Sequence, residues 1–273
     1  MAVTFNTLSK DATIFKELKK NPVWWQRFKS DDSFYIEIRK DNQVNVYFEG
    51  GSVARIHYCT KQKKLQVFTH HKYLDIEEEK PMYVECSDYI NEEIDRIIPR
   101  IKEKYSQKKA VDGSISKEDW SEKYIQSGLI KASGDIHLDS EFAYKDDVSD
   151  NRIDLVKVID GEIVFVELKR LDDGRMLKSN DDAPEIVTQM RNYESFIGRY
   201  SEKILDYYQR LYDIKADLGL PVPKARPERV RAKPELLIFN RWVKPHVKRD
   251  THEKRMRQIL EREGVNYSII REI

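Results

Sequence analysis

The stretch Asn151-Arg-Ile-Asp-Leu-Val-Lys-Val-Ile-Asp-Gly-Glu-Ile-Val-Phe-Val-Glu-Leu-Lys-Arg170 decides the reading of this chain. Two runs rich in β-branched and aromatic residues flank Asp160-Gly161, a dipeptide suited to a two-residue hairpin turn. If Ile159 and Glu162 flank the turn, Val158 faces Ile163, Val156 faces Phe165 and Asp154 faces Glu167. Arg152 and Lys169 come next. Counting outward from a hydrogen-bonded flanking pair, Asp154–Glu167 is a non-hydrogen-bonded pair, the closer kind. Its Cβ atoms are then about 4.5–5.5 Å apart. Lys169 lies two residues beyond Glu167 and projects from the same face.

Both faces of the two runs are apolar. Ile153, Leu155, Val164 and Val166 form one face, and Val156, Val158, Ile163 and Phe165 the other. Strands of this kind are covered on both sides. Two facing carboxylates destabilise a hairpin, and buried carboxylates require a cation or a proton. A hard divalent ion satisfies paired carboxylate oxygens. It can also polarise a phosphoryl oxygen and acidify a bound water, while Lys169 is placed to orient that water or offset developing charge. A structural ion cluster of Asp154, Glu167, Lys169 and Arg152 is the bland alternative.

Outward from the hairpin, Trp120–Ile130 reads as helix and Asp135–Tyr144 as strand. Pro184–Ile197 and Ser201–Leu218 read as two consecutive helices. Glu235–Phe239 reads as strand, Asp250–Glu263 as basic helix and Asn266–Ile270 as a last strand. Alternating strands and helices imply a mixed α/β domain. Before it, Phe34–Arg39, Val44–Phe48, Val53–Tyr58 and Leu65–Thr69 are strand-like. Tyr89–Lys104 has isoleucines at helical spacing, with Pro99 as a kink or restart. A polar stretch over 106–118, containing Asp-Gly, divides the two patterns. The expected organisation is therefore an N-terminal antiparallel β/helix domain over 1–110 and a second domain over 111–273.

The hairpin resembles the PD-(D/E)xK nuclease superfamily, in which an Asp near one strand's end meets Glu-x-Lys on its partner. Here the matching residues are Asp154 and Glu167-Leu168-Lys169, with Ile153 in place of the family's proline. Gln189-Met-Arg-Asn-Tyr193 resembles the Gln-x-x-x-Tyr helix of the RecB-like branch. Helical spacing puts Gln189 and Tyr193 on one face with Ile186, Phe196 and Ile197, and a Gln on that stripe needs a hydrogen-bond partner. The resemblance covers about residues 120–273. It implies a restriction-endonuclease-like mixed sheet flanked by helices and phosphodiester hydrolysis, in DNA ahead of RNA. Asp154, Glu167 and Glu141 would be ligands to Mg²⁺ or Mn²⁺, and Lys169, Gln189 and Tyr193 would belong to the catalytic set. It also implies a role in defence or DNA processing. Asp135, His137 and Asp139, alternating along one strand, are a second candidate metal set.

Net charge is only +1, so a polyanion partner must be sought in local charge. Lys224–Arg257 holds twelve Lys/Arg against four Asp/Glu, a balance of +8. Arg226, Arg229, Arg231, Lys233, Arg241, Lys244, Lys248 and Arg249, with Trp242 among them, are candidate nucleic-acid contacts. Lys61, Lys63, Lys64, His70, His71 and Lys72 add basic character to the N-terminal sheet, whose role is open between substrate recognition and homodimerisation. Trp24-Trp25 reads as core. Cys59 and Cys86 are too few for a disulfide framework. No leader-like segment or ~18-residue apolar run is present. The expected setting is a reducing cytoplasm, without membrane. A catalytically inert nucleic-acid-binding module on the same scaffold is the alternative function, and a purely structural interaction protein the third.

Overall fold

The computed structural model describes residues 5, 8–74, 82–103, 120–145, 150–176, 184–242 and 246–273. The 106–118 stretch expected to divide the chain lies outside them. Two short helices, α1 (Thr13–Lys19) and α2 (Val23–Ser30), precede a five-stranded antiparallel meander. Its strands are β1 (Phe34–Ile38), β2 (Val44–Phe48), β3 (Gly51–Cys59), β4 (Lys64–His70) and β5 (Tyr83–Glu85). Helix α3 (Ile90–Ile101) follows and accommodates Pro99 without ending there. Ile90, Ile94, Ile97 and Ile101 form its buried stripe. Trp25 is fully buried and Trp24 packs against the same core.

The second sheet is mixed and has the order β11 (Tyr267–Ile270), β10 (Glu235–Phe239), β8 (Glu162–Arg170), β7 (Asp150–Ile159), β6 (His137–Lys145), with a two-residue strand β9 (Arg229–Val230) against β8. Helix α4 (Glu122–Ala132) leads into β6 (His137–Lys145), β7 (Asp150–Ile159) and β8 (Glu162–Arg170). Helix α5 (Glu185–Asp217) then connects to β9 (Arg229–Val230) and β10 (Glu235–Phe239). Helix α6 (Val247–Arg262) leads to β11 (Tyr267–Ile270). The first three strands are antiparallel, whereas β8, β10 and β11 run parallel. Parallel neighbours need long crossovers, which α5 and α6 supply.

The β7–β8 register follows the turn. Ile159 pairs with Glu162, Val158 with Ile163 and Val156 with Phe165. Asp160 (φ 50°) and Gly161 (φ 75°) both adopt positive φ, the conformation a type I′ turn requires. The two faces separate as alternation dictates except at Ile153, expected beside Leu155 but packed in the opposite cluster just where the β7–β8 ladder ends. Leu155, Val164, Val166 and Leu168 pack under α4 through Ile125, Leu129 and Ile130. Val156, Val158, Ile163 and Phe165 join the larger cluster that includes α5 and α6.

The two expected helices at 184–197 and 201–218 are one helix of 33 residues, about 50 Å long. Gly198 falls on its exposed side and meets nothing. The glycine costs about 1 kcal/mol, a penalty offset by the apolar stripe on either side, from Ile186 to Ile214.

That helix also reaches the first sheet. Lys215 Nζ donates to Glu37 Oε2 at 2.7 Å, and Glu37 Oε1 meets His137 Nε2 at 2.8 Å. Arg39 donates to Asp139 Oδ1 (3.2 Å) and to the Ser140 carbonyl, and Tyr208 OH donates to Asp139 Oδ2 (3.4 Å). This buried ionic network ties β1, β6 and α5 together. It also removes His137 and Asp139 from the candidate metal set, because each is bonded to the first sheet. Asp135 is exposed and paired with Lys224 at 2.8 Å.

Burial, and then the Glu37 charge, push the Asp139 carboxyl up to about 7, against the pull of Arg39 and Lys215. An unfolded Asp titrates near about 3.9. The folded chain therefore holds this proton more tightly, and the group's contribution to stability, full below that lower value, is lost as pH rises through about 7. Asp139→Asn removes the ionisation. Its melting temperature relative to wild type should be a few degrees more favourable near pH 8 than near pH 5. A constant difference across that range, measured by thermal melts, contradicts this assignment.

Candidate active site

Beyond Leu155–Val166 the regular β7–β8 ladder stops. The next ladder bond would carry the Leu168 N–H to β7 backbone. Instead Asp154 Oδ2 accepts it at 2.8 Å. The Asp154 carbonyl accepts from Gln126 Nε2 of α4 at 2.8 Å, and the Arg152 carbonyl from the Tyr193 hydroxyl. Side chains thus satisfy the backbone groups where the strands part. The opening lies where the row Ile163, Phe165, Glu167, Lys169 changes from apolar to charged.

Glu167 and Lys169 are each only 2% exposed. The Lys169 ammonium donates to Glu167 Oε1 and, at 2.8 Å, to the Leu168 carbonyl. It stands 3.6 Å from Asp154 Oδ2. Gln189 Nε2 donates to Glu167 Oε1 (2.7 Å) and to Tyr193 OH (2.7 Å), while Tyr193 OH lies 3.0 Å from Glu167 Oε2. Asp154, Glu167, Lys169, Gln189 and Tyr193, drawn from two strands and one helix, therefore form one hydrogen-bonded cluster.

The electrostatics follow from burial. Desolvation, then the Asp154 charge, raise Glu167 to about 7 despite Lys169 and Tyr193. Desolvation also raises Asp154, with Lys169 and the Leu168 N–H opposing it. Burial alone would lower Lys169, but Glu167, Asp154 and Glu122 reverse this and hold it above the ordinary lysine range. Burial and the Glu167 charge raise Tyr193, so it stays protonated.

The cluster opens into a cavity of about 770 Å³ that also meets Glu122, Arg152, Arg175, Glu185 and Asn192. Glu122 and Arg175 were not found from sequence. Glu122 opens α4 behind the Ser121 cap, 32 positions before Asp154, and no spacing rule links them. Burial raises its carboxyl, with Lys169 opposing. Arg175 is held in a bidentate pair by Asp173 (both 3.0 Å). Glu141 is not on this cavity. It sits on β6 with φ 51°, and its carboxylate is bound by Lys123. Its charge still raises Asp154.

The basic stretch divides in space. Arg226 is bidentate to Asp213 (3.0 and 3.1 Å). Arg229 and Arg231 both pair with Glu162 (3.4 and 2.7 Å), beside the hairpin turn. From Glu162 to Glu167 is five residues, about 17 Å along the strand, so these arginines sit at the wrong end of β8 for the cluster. Arg241 lies nearer, since β10 pairs Phe239 with Arg170; it is bound to Asp172 at 2.5 Å. Arg249 covers the Trp242 ring at 4.9 Å. Lys233 and Lys248 are exposed, and Lys244 lies outside the described residues. Exposed ion pairs of this kind are worth at most about 1 kcal/mol, so a phosphate can displace an acid at little cost.

Among the described residues no group of three or more His, Cys, Asp or Glu side chains is preassembled for a metal. The donor set nevertheless fits a hard divalent ion. Two carboxylates from adjacent strands and the Leu168 carbonyl already surround one cation, the Lys169 ammonium. All three are oxygen ligands of the kind Mg²⁺ and Mn²⁺ take. Both acids are raised by burial, so an added positive charge would relieve them. Saturating Mg²⁺ at about 100 times its dissociation constant should then stabilise the fold by about 2.7 kcal/mol. The matching rise in melting temperature should vanish in Asp154→Asn with Glu167→Gln. An equal rise in that double variant would place the ion elsewhere.

Among the described residues no helix is long and apolar enough to cross a membrane. Compared with protein-family profiles, with curated proteins and with solved structures, the chain shows no match in any of the three.

Proposed function

We propose that this protein is a divalent-metal-dependent nuclease of the PD-(D/E)xK type on a restriction-endonuclease-like fold, hydrolysing phosphodiester bonds in DNA in preference to RNA. One observation carries the reading: a buried lysine ammonium bracketed by two carboxylates from adjacent strands, at the head of a cavity about 770 Å³ in volume. A purely structural ion pair has no need of so large an opening.

Asp154 and Glu167, with the Leu168 carbonyl, would hold Mg²⁺ or Mn²⁺. When bound, such an ion supplies polarisation of a phosphoryl oxygen and offsets charge that builds on it. Lys169, released from Glu167, holds the attacking water by its lone pair and faces the phosphate's developing charge. The water oxygen forms a bond to phosphorus as the bond to one sugar oxygen breaks. The water's proton passes to solvent, and the departing oxygen takes one up. Gln189 fixes Oε1 of the Glu167 carboxylate from behind, and the Tyr193 hydroxyl, sharing its one proton between the Arg152 carbonyl and Glu167 Oε2, limits rotation of the other oxygen. Arg152, exposed on the cavity rim, and Arg175 are placed to receive flanking phosphates.

The direct Lys169–Glu167 bond favours a second reading, a catalytically inert nucleic-acid-binding module in which the cluster is only structural.

The two readings part in a cleavage assay on single-stranded DNA, duplex DNA and RNA with Mg²⁺, Mn²⁺ or chelator. The nuclease predicts metal-dependent cleavage that falls by about 10²–10³-fold or more in Lys169→Ala and in Glu167→Ala. Tyr193→Phe should lose less, because Gln189 still holds one oxygen of Glu167. Metal-independent cleavage, or cleavage that survives both Lys169→Ala and Glu167→Ala, would falsify the site. Binding without any cleavage selects the inert module.

A further inference from the structure

The two sheets part beside β6 to leave a second cleft of about 330 Å³. Arg39, Asn45, Tyr47 and Arg55 line it from the first sheet, and Glu141 and Tyr144 from β6. Asn45 and Arg55 belong to one cross-strand row. Glu37 pairs with Asn45, Asn45 with Arg55, Arg55 with Phe68 and Phe68 with Glu85. Directly opposed residues share a face, so the row crosses all five strands. Its Glu37 end is buried under the second sheet, and its centre opens into the cleft.

The two arginines differ in their commitments. Arg39 is used by Asp139, the Ser140 carbonyl and the Tyr47 hydroxyl. Arg55 has its guanidinium 3.7 Å from the centre of the Tyr83 ring. Among the described residues it makes no ion pair, and its Nε is buried without a hydrogen-bond partner. Of the acids lining the cleft, Asp139 is bonded to Arg39 and Glu141 to Lys123, and neither these nor Asp41 pairs with Arg55; a half-buried guanidinium backed by an aromatic ring and unpaired with an acid is a receptor for an anion or a flat π-face. Beside it stand the carboxamides of Gln43 and Asn45; Gln43 Nε2 donates to Asn45 Oδ1 and Asn45 Nδ2 to the Tyr47 hydroxyl at 3.1 Å, and each amide nitrogen keeps a second N–H and Gln43 its oxygen for a ligand.

The cleft adjoins the active-site cavity. In the β6–β7 ladder Ala143 pairs with Arg152 and Tyr144 with Asn151. The first residue of each pair lines the cleft and the second lines the cavity. Glu122 lines the cavity, and Lys123 next to it holds Glu141 of the cleft. The residues that line the two spaces thus sit on adjacent strands, about 4.8 Å apart.

We propose that this cleft holds one unpaired nucleotide of the strand on which the active site acts, with Arg55 taking its phosphate and Gln43 and Asn45 facing the base edge. The volume suits one nucleotide unit and excludes a duplex. Single strands present bases that can be splayed into such a recess. The nuclease reading supplies the identity of the ligand as nucleic acid, while the cleft itself is a binding site that works without metal.

The test is fluorescence anisotropy in chelator, with labelled oligo-dT and oligo-rU of about 20 nucleotides, enough to span one binding fold, and a duplex of equal length. Full-length wild type, Arg55→Gln and Lys40→Gln, a lysine on the cleft rim, are compared. Arg55→Gln should weaken single-strand binding about tenfold and lower the salt slope by about one, with duplex binding unchanged. Lys40→Gln should act in the same direction with a smaller loss. An equal loss on oligo-rU makes RNA a ligand alongside DNA. Thermal melts check folding, and if Arg55→Gln does not fold, Lys40→Gln with Arg55→Lys decides. Unchanged single-strand affinity and salt slope in the folded variants overturn the proposal. That result leaves Lys169-dependent cleavage untouched, and loss of cleavage in turn leaves this metal-free binding untouched.

Discussion

Two carboxylates forced together at the end of an apolar strand pair are the constraint on which the site depends. Asp154 and Glu167 are held close because the β7–β8 ladder ends beside them at Leu155–Val166 and Asp154 Oδ2 then accepts the Leu168 N–H. Glu167 cannot escape to water, since Gln189 and Tyr193 of α5 cover it and it is buried, whereas the Asp154 side chain keeps 25% of its surface exposed on the cavity. Their charge must be met in place. Lys169 meets it in this structure, with Leu168 N–H, Gln189 and Tyr193 taking the remaining lone pairs. A buried ionic group without all its partners costs several kcal/mol. These partners explain how the buried Glu167 carboxylate is tolerated, while burial still pushes both carboxyls upward.

Helix α5 carries that constraint across the molecule. Its first turns bring Gln189 and Tyr193 to Glu167. Its middle supplies Phe196, Tyr207 and Tyr208 to the apolar row, and its last turns bring Lys215 to Glu37. Residues of the first sheet and of the second belong to one hydrophobic cluster as a result. The ionic contacts of Arg39 and Glu37 with β6 hold the first sheet beside the strand that separates the two cavities. Placement of the N-terminal half next to the site thus follows from helix length as much as from any local motif.

The hairpin was legible because three signals agree there: Asp160-Gly161, period-two alternation and apolar flanks. Those signals predict Asp154 opposite Glu167 with Lys169 on the same face; the ladder ends one pair earlier, at Leu155–Val166, and the three groups meet through Asp154 Oδ2 and the Lys169 ammonium, while the Gln189–Tyr193 spacing puts both on the helix face that meets Glu167. Strands β5 and β9 escaped notice because two or three residues carry no period. The break expected near Gly198 reflects local propensity, which burial of the flanking stripe overrides. The alternation of Asp135, His137 and Asp139 suggested a shared face, but β6 bulges between His137 and Asp139. Their partners, Glu37 and Arg39, lie about a hundred positions away. Glu122 and Arg55 were invisible for the same reason: their meaning depends on contacts that no local spacing encodes. Lys224–Arg257 was correctly read as basic, but charge density alone does not reveal which end of β8 each arginine occupies.

The account stands on a divalent ion taking the place that the Lys169 ammonium now holds between Asp154 and Glu167. Anomalous diffraction from crystals containing Mn²⁺ measures this directly. The predicted result is one peak about 2.1 Å from an oxygen of each carboxylate, with the lysine swung toward the cavity. A peak elsewhere, or none while Lys169 keeps its bond to Glu167, contradicts the account.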